Sequence, residues 1–333
     1  IDIANNEFGV EYASSDFQTD VIQSLEHLEK PIGAGAYKIT NRENEDNPAG
    51  DEFYNANICY YKANDNFMFE VKTEKLRMQY VNASDALDSL ESGAIDYAEP
   101  QFTQVNATKV SQMVSTGKFE SLDAWQLGYG YIGINAGKVP NVYIRRAIMS
   151  AMQTSLSLQY YQTGQAQVID WPMSRESWAY PFEADGQTSK ANGHDYTMWT
   201  SRSAAETKIQ EFMRQAGVSA GDPSLSITFT IAGSSISEHP CYNVFIQAMD
   251  ILKSLGWDIE VTADSQALTK LATGSLEVWA AAWGSTIDPD MYQVYHKNSN
   301  ATSVYAWGYR EILSNTSLYS YENSIINQLS ELI

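Results

Sequence analysis

Residues 267–277 read ALTKLATGSLE, and residues 86–96 read ALDSLESGAID. Each copy has Ala-Leu, a second Leu three positions later, then Gly, an aliphatic residue and an acid. Each also sits between two strand-like runs. LRMQYV (76–81) precedes the first copy and AIDYA (94–98) closes it; WDIEV (257–261) precedes the second, which runs into the apolar LEVWAAAW (276–283). With Ser84 and Asp264 as N-caps, and Gly93 and Gly274 as helix stops, each copy predicts a strand, a short helix and a returning strand. A β-α-β phrase spelled twice at long range predicts an α/β chain with one such unit in each of two lobes.

Bulk composition agrees with two lobes. A chain of 333 residues exceeds the size at which one core usually stops growing, and 44% hydrophobic residues suffice to fill more than one. A net charge of −20 repels phosphate backbones, so nucleic acid is not an expected partner. No run approaches the roughly 18 apolar residues of a membrane span. Cys59 and Cys241 stand far apart, in neither a metal nor a redox spacing. The opening IDIANNEFGV has no initiator Met or signal pattern, and SIINQLSELI (324–333) stops on an amphipathic helical pattern without a breaker. Both ends therefore read as cut from a longer chain.

Three helices are well punctuated. SAAETKIQEFMRQAG (203–217) opens with Ser203 and Glu206 in capping-box spacing and closes at Gly217, and CYNVFIQAMDILKSLG (241–256) follows Pro240 and closes at Gly256. VYIRRAIMSAMQTSLSLQYYQTG (142–164) puts Ile144, Ile148, Ala151 and Met152 on one face after Asn141. The alternation of strands and helices predicts mainly parallel pairing. WQLGYGYIGINAG (125–137) is an extended aromatic stretch where the chain would cross between lobes.

Enzyme signatures are missing. Gly128, Gly130 and Gly133 fit G-x-G-x-x-G, yet no helix follows directly and no acid stands about 20 residues on, which excludes a dinucleotide site. GSS (233–235) is not a nucleophile elbow. His27, His194, His239 and His296 are dispersed without helical metal-pair spacing. The richest site-like stretch is AAWGSTIDPDMYQVYH (281–296), where an apolar strand ends beside a Trp and two acids. Ligands of open α/β sheets bind beyond the carboxyl ends of strands, which makes Trp283 a candidate pocket wall and Asp288 and Asp290 candidate partners of a ligand cation. The same Asp-Pro-Asp also fits a helix N-terminus. A paired-carboxylate glycoside hydrolase, or a carbohydrate-binding protein, is the alternative raised by these two acids in a chain with 8 Trp and 21 Tyr.

Four segments, taken in order, resemble the extracellular solute-binding protein family 5, the oligopeptide- and dipeptide-binding components of ABC importers. PIGAGAYKI (31–39) resembles that family's Pro-Val-Gly-Thr-Gly-Pro-Tyr motif, with Ala34 and Ala36 in place of Thr and Pro. ALDSLESGAID resembles its helix-Gly-(Glu)-Ile-Asp motif, INAGKVPNVYIRRAIMSAM (134–152) its Asn followed by a Val-Arg-x-Ala-Ile helix, and LEVWAAAWGSTIDPDMY (276–292) its Gly-Trp-x-x-Asp-x-x-Asp-Pro segment.

The resemblance implies a two-lobed periplasmic-binding-protein-like fold of class II, truncated at both ends, with residues 1–125 as a partial first lobe and 126–333 as the second. It implies capture of a peptide or similar small organic solute in a cleft, without chemistry, cofactor or metal. It further implies delivery to a membrane ABC permease, and an extracytoplasmic location, periplasmic or lipid-anchored at the cell surface. Relatives commonly carry an Asp three residues after the Trp, where it pairs with a peptide's amino group; here that position is Thr286, so the usual charge anchor is missing unless Asp288 substitutes from a shorter loop, which leaves a longer peptide, another organic solute or a nickel-type ligand open. The ligand-binding set implied is Trp283, Gly284, Thr286, Asp288, Tyr129, Tyr131 and Trp178, with Trp171 in the same cleft-lining region as Trp178.

Overall fold

The computed structural model describes residues 33–191, 199–233, 236–237 and 239–333. Pro31 and Ile32 of the first glycine motif, His27, His194, and Ser234 and Ser235 of the GSS run lie outside the described residues. The chain is an α/β protein that divides into two compact units, Ile1–Gln101 and Phe102–Ile333.

In the first unit the elements are β1 (Tyr37–Ile39), α1 (Gly50–Phe53), β2 (Tyr54–Asn55), β3 (Ile58–Ala63), β4 (Lys75–Gln79) and α2 (Ala86–Glu91). β3 is the spine: β1 and β2 pair with it along one edge and β4 along the other, all antiparallel. The β2–β3 hairpin turns on Ala56 and Asn57, both at positive φ, the backbone sign that a two-residue turn needs to match strand twist. The polar stretch after β1 is a loop, as its turn formers predict. Asn41 organises it by accepting the Glu43 and Glu45 backbone N–H groups, and Asp46 bridges Lys38 and Lys62 at 3.1 and 2.9 Å.

The first echoed phrase forms its helix α2 and turns at Gly93, φ +75°, but the returning strand expected over 94–98 does not form. The reason is hydrogen-bond bookkeeping. Both edges of β3 are occupied, and the N–H groups of Ala94 and Ile95 donate back to the Ser89 carbonyl, closing the helix end. The predicted cap is also displaced, from Ser84 to Asp85.

The second unit contains α3 (Gln104–Ser115), β5 (Tyr129–Ile134), α4 (Val142–Ala151), α5 (Arg202–Ala216), β6 (Ser226–Ala232), α6 (Tyr242–Ser254), β7 (Asp258–Asp264), α7 (Ala267–Ala272), β8 (Val278–Trp283), α8 (Met291–Tyr295), α9 (Thr302–Ala306), α10 (Tyr309–Ser314) and α11 (Ser320–Leu332). The stretch 102–125, expected N-terminal to the lobe boundary, clusters with this unit. Here the echoed phrase builds the full β-α-β unit, β7-α7-β8, with Gly274 at φ +69°. Sheet order is β5-β8-β6-β7; β6 runs parallel to β7 and β8, and β5 is antiparallel on the edge. Among the described residues parallel pairing is therefore confined to this sheet, since every strand pairing described in the first unit is antiparallel.

Alternation along the strands feeds two separate cores. Ile227, Phe229, Ile231, Val278 and Ala280 pack with Ile144 and Ile148 of α4, Ile209 of α5 and Phe245 and Leu252 of α6. Burying each such Leu, Ile or Phe contributes about 1.5–3 kcal/mol. On the opposite face Trp279 packs with Ala267, Leu276 and Ala306, and with Trp307. α5 is capped by Ser201, two residues before the predicted Ser203, and ends at left-handed Gly217. The helix predicted through 164 stops at Ala151, and a 3₁₀ turn covers Thr154–Tyr160, where Ser157 hydrogen-bonds the Thr154 carbonyl instead of leaving the backbone to an α ladder.

Gly133 is where the two ladders and the second core meet. It pairs with Trp279 across β5 and β8, and a Cβ on it would lie 2.4 Å from the Trp279 indole and 2.9 Å from that of Trp307. Gly133→Ala therefore forces both indoles to move. Overpacking of this kind costs about 1–3 kcal/mol, and a urea titration followed by tryptophan fluorescence is expected to show a lowered midpoint.

Candidate functional site

The pocket of interest lies wholly within the second unit, with a volume of about 350 Å³. Its sheet wall is Tyr129–Ile132 of β5 and Trp283 at the end of β8, and its far wall is the loop Gln167–Pro172 with Thr154 and Ser157. Tyr295 of α8 and Trp307 complete it.

Register places the sheet wall. Tyr129 pairs with Trp283 and Tyr131 with Ala281, so two tyrosines two residues apart on β5 present the same face beside the last residue of β8. The rings of Tyr129 and Tyr131 are 6.3 Å apart, those of Tyr131 and Trp283 6.5 Å, and those of Tyr131 and Trp307 5.6 Å. Gly128, one residue earlier, has no room for a side chain, because a Cβ there would sit 2.7 Å from the Trp283 carbonyl. Trp307 is held from behind: its carbonyl accepts the Ala136 N–H at 3.0 Å, and its own buried Nε1 finds no hydrogen-bond partner among the described residues.

The loop wall is pinned by its own polar contacts. The buried Tyr180 hydroxyl accepts the Asp170 N–H at 3.2 Å and shares a 3.0 Å hydrogen bond with Ser189 Oγ. Trp171 Nε1 donates to the Lys190 carbonyl at 3.0 Å, and Ser174 Oγ to that of Gln126 at 3.1 Å.

The expected ligand-binding residues separate into two groups. Tyr129, Tyr131 and Trp283 line the pocket, as does Trp171. Gly284, Thr286, Asp288 and Trp178 are exposed and do not line it. Thr286 Oγ1 closes its own loop on the Asp288 carbonyl at 2.6 Å, and Trp178, 74% exposed, donates through Nε1 to the Ile287 carbonyl at 3.0 Å. Asp290 caps α8 by accepting the Gln293 N–H, the helix-terminus reading of Asp-Pro-Asp. With neither Asp288 nor Asp290 on the pocket, nothing here forms the facing carboxylate pair of a glycosidase. Sequence reasoning missed Asp170, Tyr295 and Trp307. Tyr295 lay inside the segment already singled out; Trp307 and Asp170 carried no local signal.

Burial raises the phenol pKa values of Tyr129 and Tyr131 above the usual range. Tyr295 is raised further, by burial first and then by the neighbouring Tyr129. Beneath it Tyr309, whose hydroxyl donates to the Tyr295 carbonyl, is pushed up to about 12 by burial. The pocket thus keeps neutral phenols throughout the ordinary pH range. Among the described residues no three His, Cys, Asp or Glu side chains converge as a metal site, and no helix is long and apolar enough to cross a membrane.

A phenol whose folded pKa exceeds its unfolded value contributes stability that is intact below the unfolded pKa and lost as pH climbs toward the folded one. For Tyr309 that window runs from 10 to about 12. Urea midpoints measured across it are expected to fall more gently in Tyr309→Phe than in the parent, the parent losing up to about 1.4 kcal/mol more per pH unit.

The model of the bacterial extracellular solute-binding proteins, family 5, matches residues 11–304. No curated protein sequence matches. Among solved structures, the chain resembles the oligopeptide-binding protein AppA of Bacillus subtilis, in complex with a nonapeptide, at 16% identity and a TM-score of 0.62, covering 95% of this chain and 62% of that one. It resembles the periplasmic binding protein DppA of Helicobacter pylori, in complex with the peptide STSA, at 16% identity and TM-score 0.61, covering 94% and 60%. It also resembles NikZ of Campylobacter jejuni, in complex with Ni(L-His), at 19% identity and TM-score 0.59, covering 87% and 54%. The likeness is one of fold, and the chain spans between about half and two thirds of the length of these proteins.

Proposed function

The chain belongs to the bacterial extracellular solute-binding proteins, family 5, and from that premise we propose that it is the substrate-binding component of an ABC importer, capturing a peptide or similar small organic solute without altering it. The observation that carries this reading is the aromatic pocket of the second unit, where Tyr129, Tyr131, Trp171 and Trp283 surround a space of about 350 Å³. Concave sites of this size, apolar walls with a few fixed polar groups, are the usual form of small-ligand sites. Neutral tyrosines along the pocket wall suit reversible packing rather than proton transfer.

Residues from 126 onward, which open with β5, are taken as the ligand-facing lobe. Trp178 joins the site in this reading by steadying the loop of Gly284, Thr286 and Asp288 through its bond to Ile287. The partner that receives the solute is a membrane permease, and the place of capture is extracytoplasmic, in a periplasm or at a lipid-anchored cell surface.

Calorimetric titration with a mixed tetrapeptide pool, followed by mass spectrometry of the recovered ligand, tests this reading. Saturable binding with peptides recovered intact is expected; absence of binding, or cleaved peptides, would overturn it. Trp283→Ala removes an aromatic wall worth about 1–3 kcal/mol, so a ten-fold or greater loss of affinity is expected. Trp178→Ala, which frees the adjoining loop without opening the pocket, is expected to weaken binding less.

A further inference from the structure

β4 ends the first unit's sheet, and its far edge pairs with no strand among the described residues. The Ala63 N–H donates to the Glu74 carbonyl and the Tyr80 N–H to the Asn57 carbonyl, so residues 74, 76, 78 and 80 turn their main-chain groups toward β3. Lys75, Arg77 and Gln79, at the alternate positions, turn theirs outward. None of their N–H and C=O groups meets a partner among the described residues. An unpaired edge of this length, with neither a proline nor a bulge, is a template for another strand.

The two faces of β4 define what that strand carries. Leu76 and Met78 stand opposite Tyr61 and Cys59, on the face where Phe53 packs edge-on against Tyr61 at 5.3 Å. This apolar face does not end at β3 but continues outward through Leu76, Met78 and Tyr80, all exposed. On the other face Lys75 and Arg77 project without an ion pair among the described residues, in a chain whose net charge is −20. A complementary strand sets apolar residues beside Leu76 and Met78 and acids beside Lys75 and Arg77. A second copy of β4 does not fit, because antiparallel self-pairing centred on Arg77 places two guanidinium groups opposite each other.

The first unit is also short of core. Phe53 and Leu87 are its buried apolar side chains among the described residues, too few to close a four-stranded sheet. The structures that share this fold are longer, and this chain covers 62%, 60% and 54% of the three compared.

We propose that the outer edge of β4 receives a further strand from a part of the polypeptide outside these 333 residues, one that alternates apolar and acidic side chains and completes the first unit's sheet. The proposal makes no use of the pocket, so its failure leaves solute capture standing.

Zero-length carbodiimide cross-linking of the complete gene product, read by peptide mass spectrometry, is the first arm of the test. Lys75 is expected to join an Asp or Glu outside the 333 residues, in a segment whose alternate residues are apolar. Hydrogen exchange resolved to single residues is the second arm. The outward amides of Lys75, Arg77 and Gln79 are expected to exchange freely in the 333-residue chain, and about a hundred-fold more slowly in the complete product. Arg77→Pro removes one outward N–H and spares the ladder to β3. In the complete product it is expected to abolish the slowing at Lys75 and Gln79, while the Leu76 and Met78 amides stay as protected as in the parent, which shows that the sheet still forms. A Lys75 link that stays within the 333 residues, in the same or a second copy, or no link at all, overturns the proposal. So does slow exchange already present in the 333-residue chain, equal exchange in both proteins, undiminished slowing in Arg77→Pro, or a complete product that adds no residues.

Discussion

The absence of a side chain at Gly133 is the constraint from which the rest of the second unit follows. Because β5 carries no Cβ there, the indole of Trp279 lies flat against it and Trp307 packs on the same spot, their rings 5.4 Å apart. That contact lets an edge strand serve as the floor of an aromatic chain: Trp279 touches Trp307, Trp307 reaches Tyr131, and Tyr131 reaches Trp283. The chain of rings begins in the buried core and ends in the pocket. Rigidity at the wall is thus inherited from packing density in the interior, and it fixes Tyr131 and Trp283 on the pocket.

The main-chain continuation of β5 secures the same corner. Asn135, nearly inaccessible at 2% exposure, donates through Nδ2 to the Gly274 carbonyl and accepts the Gly137 N–H, while its own N–H donates to the Glu277 carbonyl. Glu277, the acid that closes the second echoed phrase, accepts the Thr228 N–H at 2.7 Å and so completes the start of the neighbouring ladder. The acid of the repeated phrase has a structural use here. C-terminal α11 is tied to α4 by the mostly buried ion pair of Arg145 with Glu322, and Arg145 also donates to the Val139 and Pro140 carbonyls.

The opposite wall is built differently. Between Gln167 and Lys190 there is little regular structure, and the segment holds its shape through side chains bonded to backbone: Tyr180 to Asp170, Trp171 to Lys190, and Arg175 lying over the Tyr180 and Phe182 rings. This wall mixes the polar Gln167 and Asp170 with the Trp171 ring, whereas the sheet wall carries Tyr129, Tyr131 and Trp283.

Periodicity along the chain was enough to identify α5, α6, β7, β8 and the buried stripe of α4, because amphipathic spacing and glycine stops are local properties that burial then rewards. It was enough to mark Trp283 as well, since the end of an apolar strand is a recognisable place. Local pattern failed at residues 94–98, whose alternation suits a strand but whose hydrogen bonds are spent on a helix end, and at Ser203, where a better-placed serine stood two residues earlier. Pairing between distant segments is not written in either of them. The register that brings Tyr129 opposite Trp283 and the packing that draws in Trp307 join residues far apart in the chain, and the Tyr180 hydroxyl bonds the Asp170 N–H across an irregular loop that has no repeating pattern to read. Side-chain volumes and hydrogen-bond partners select among such pairings only once the whole unit has closed around them.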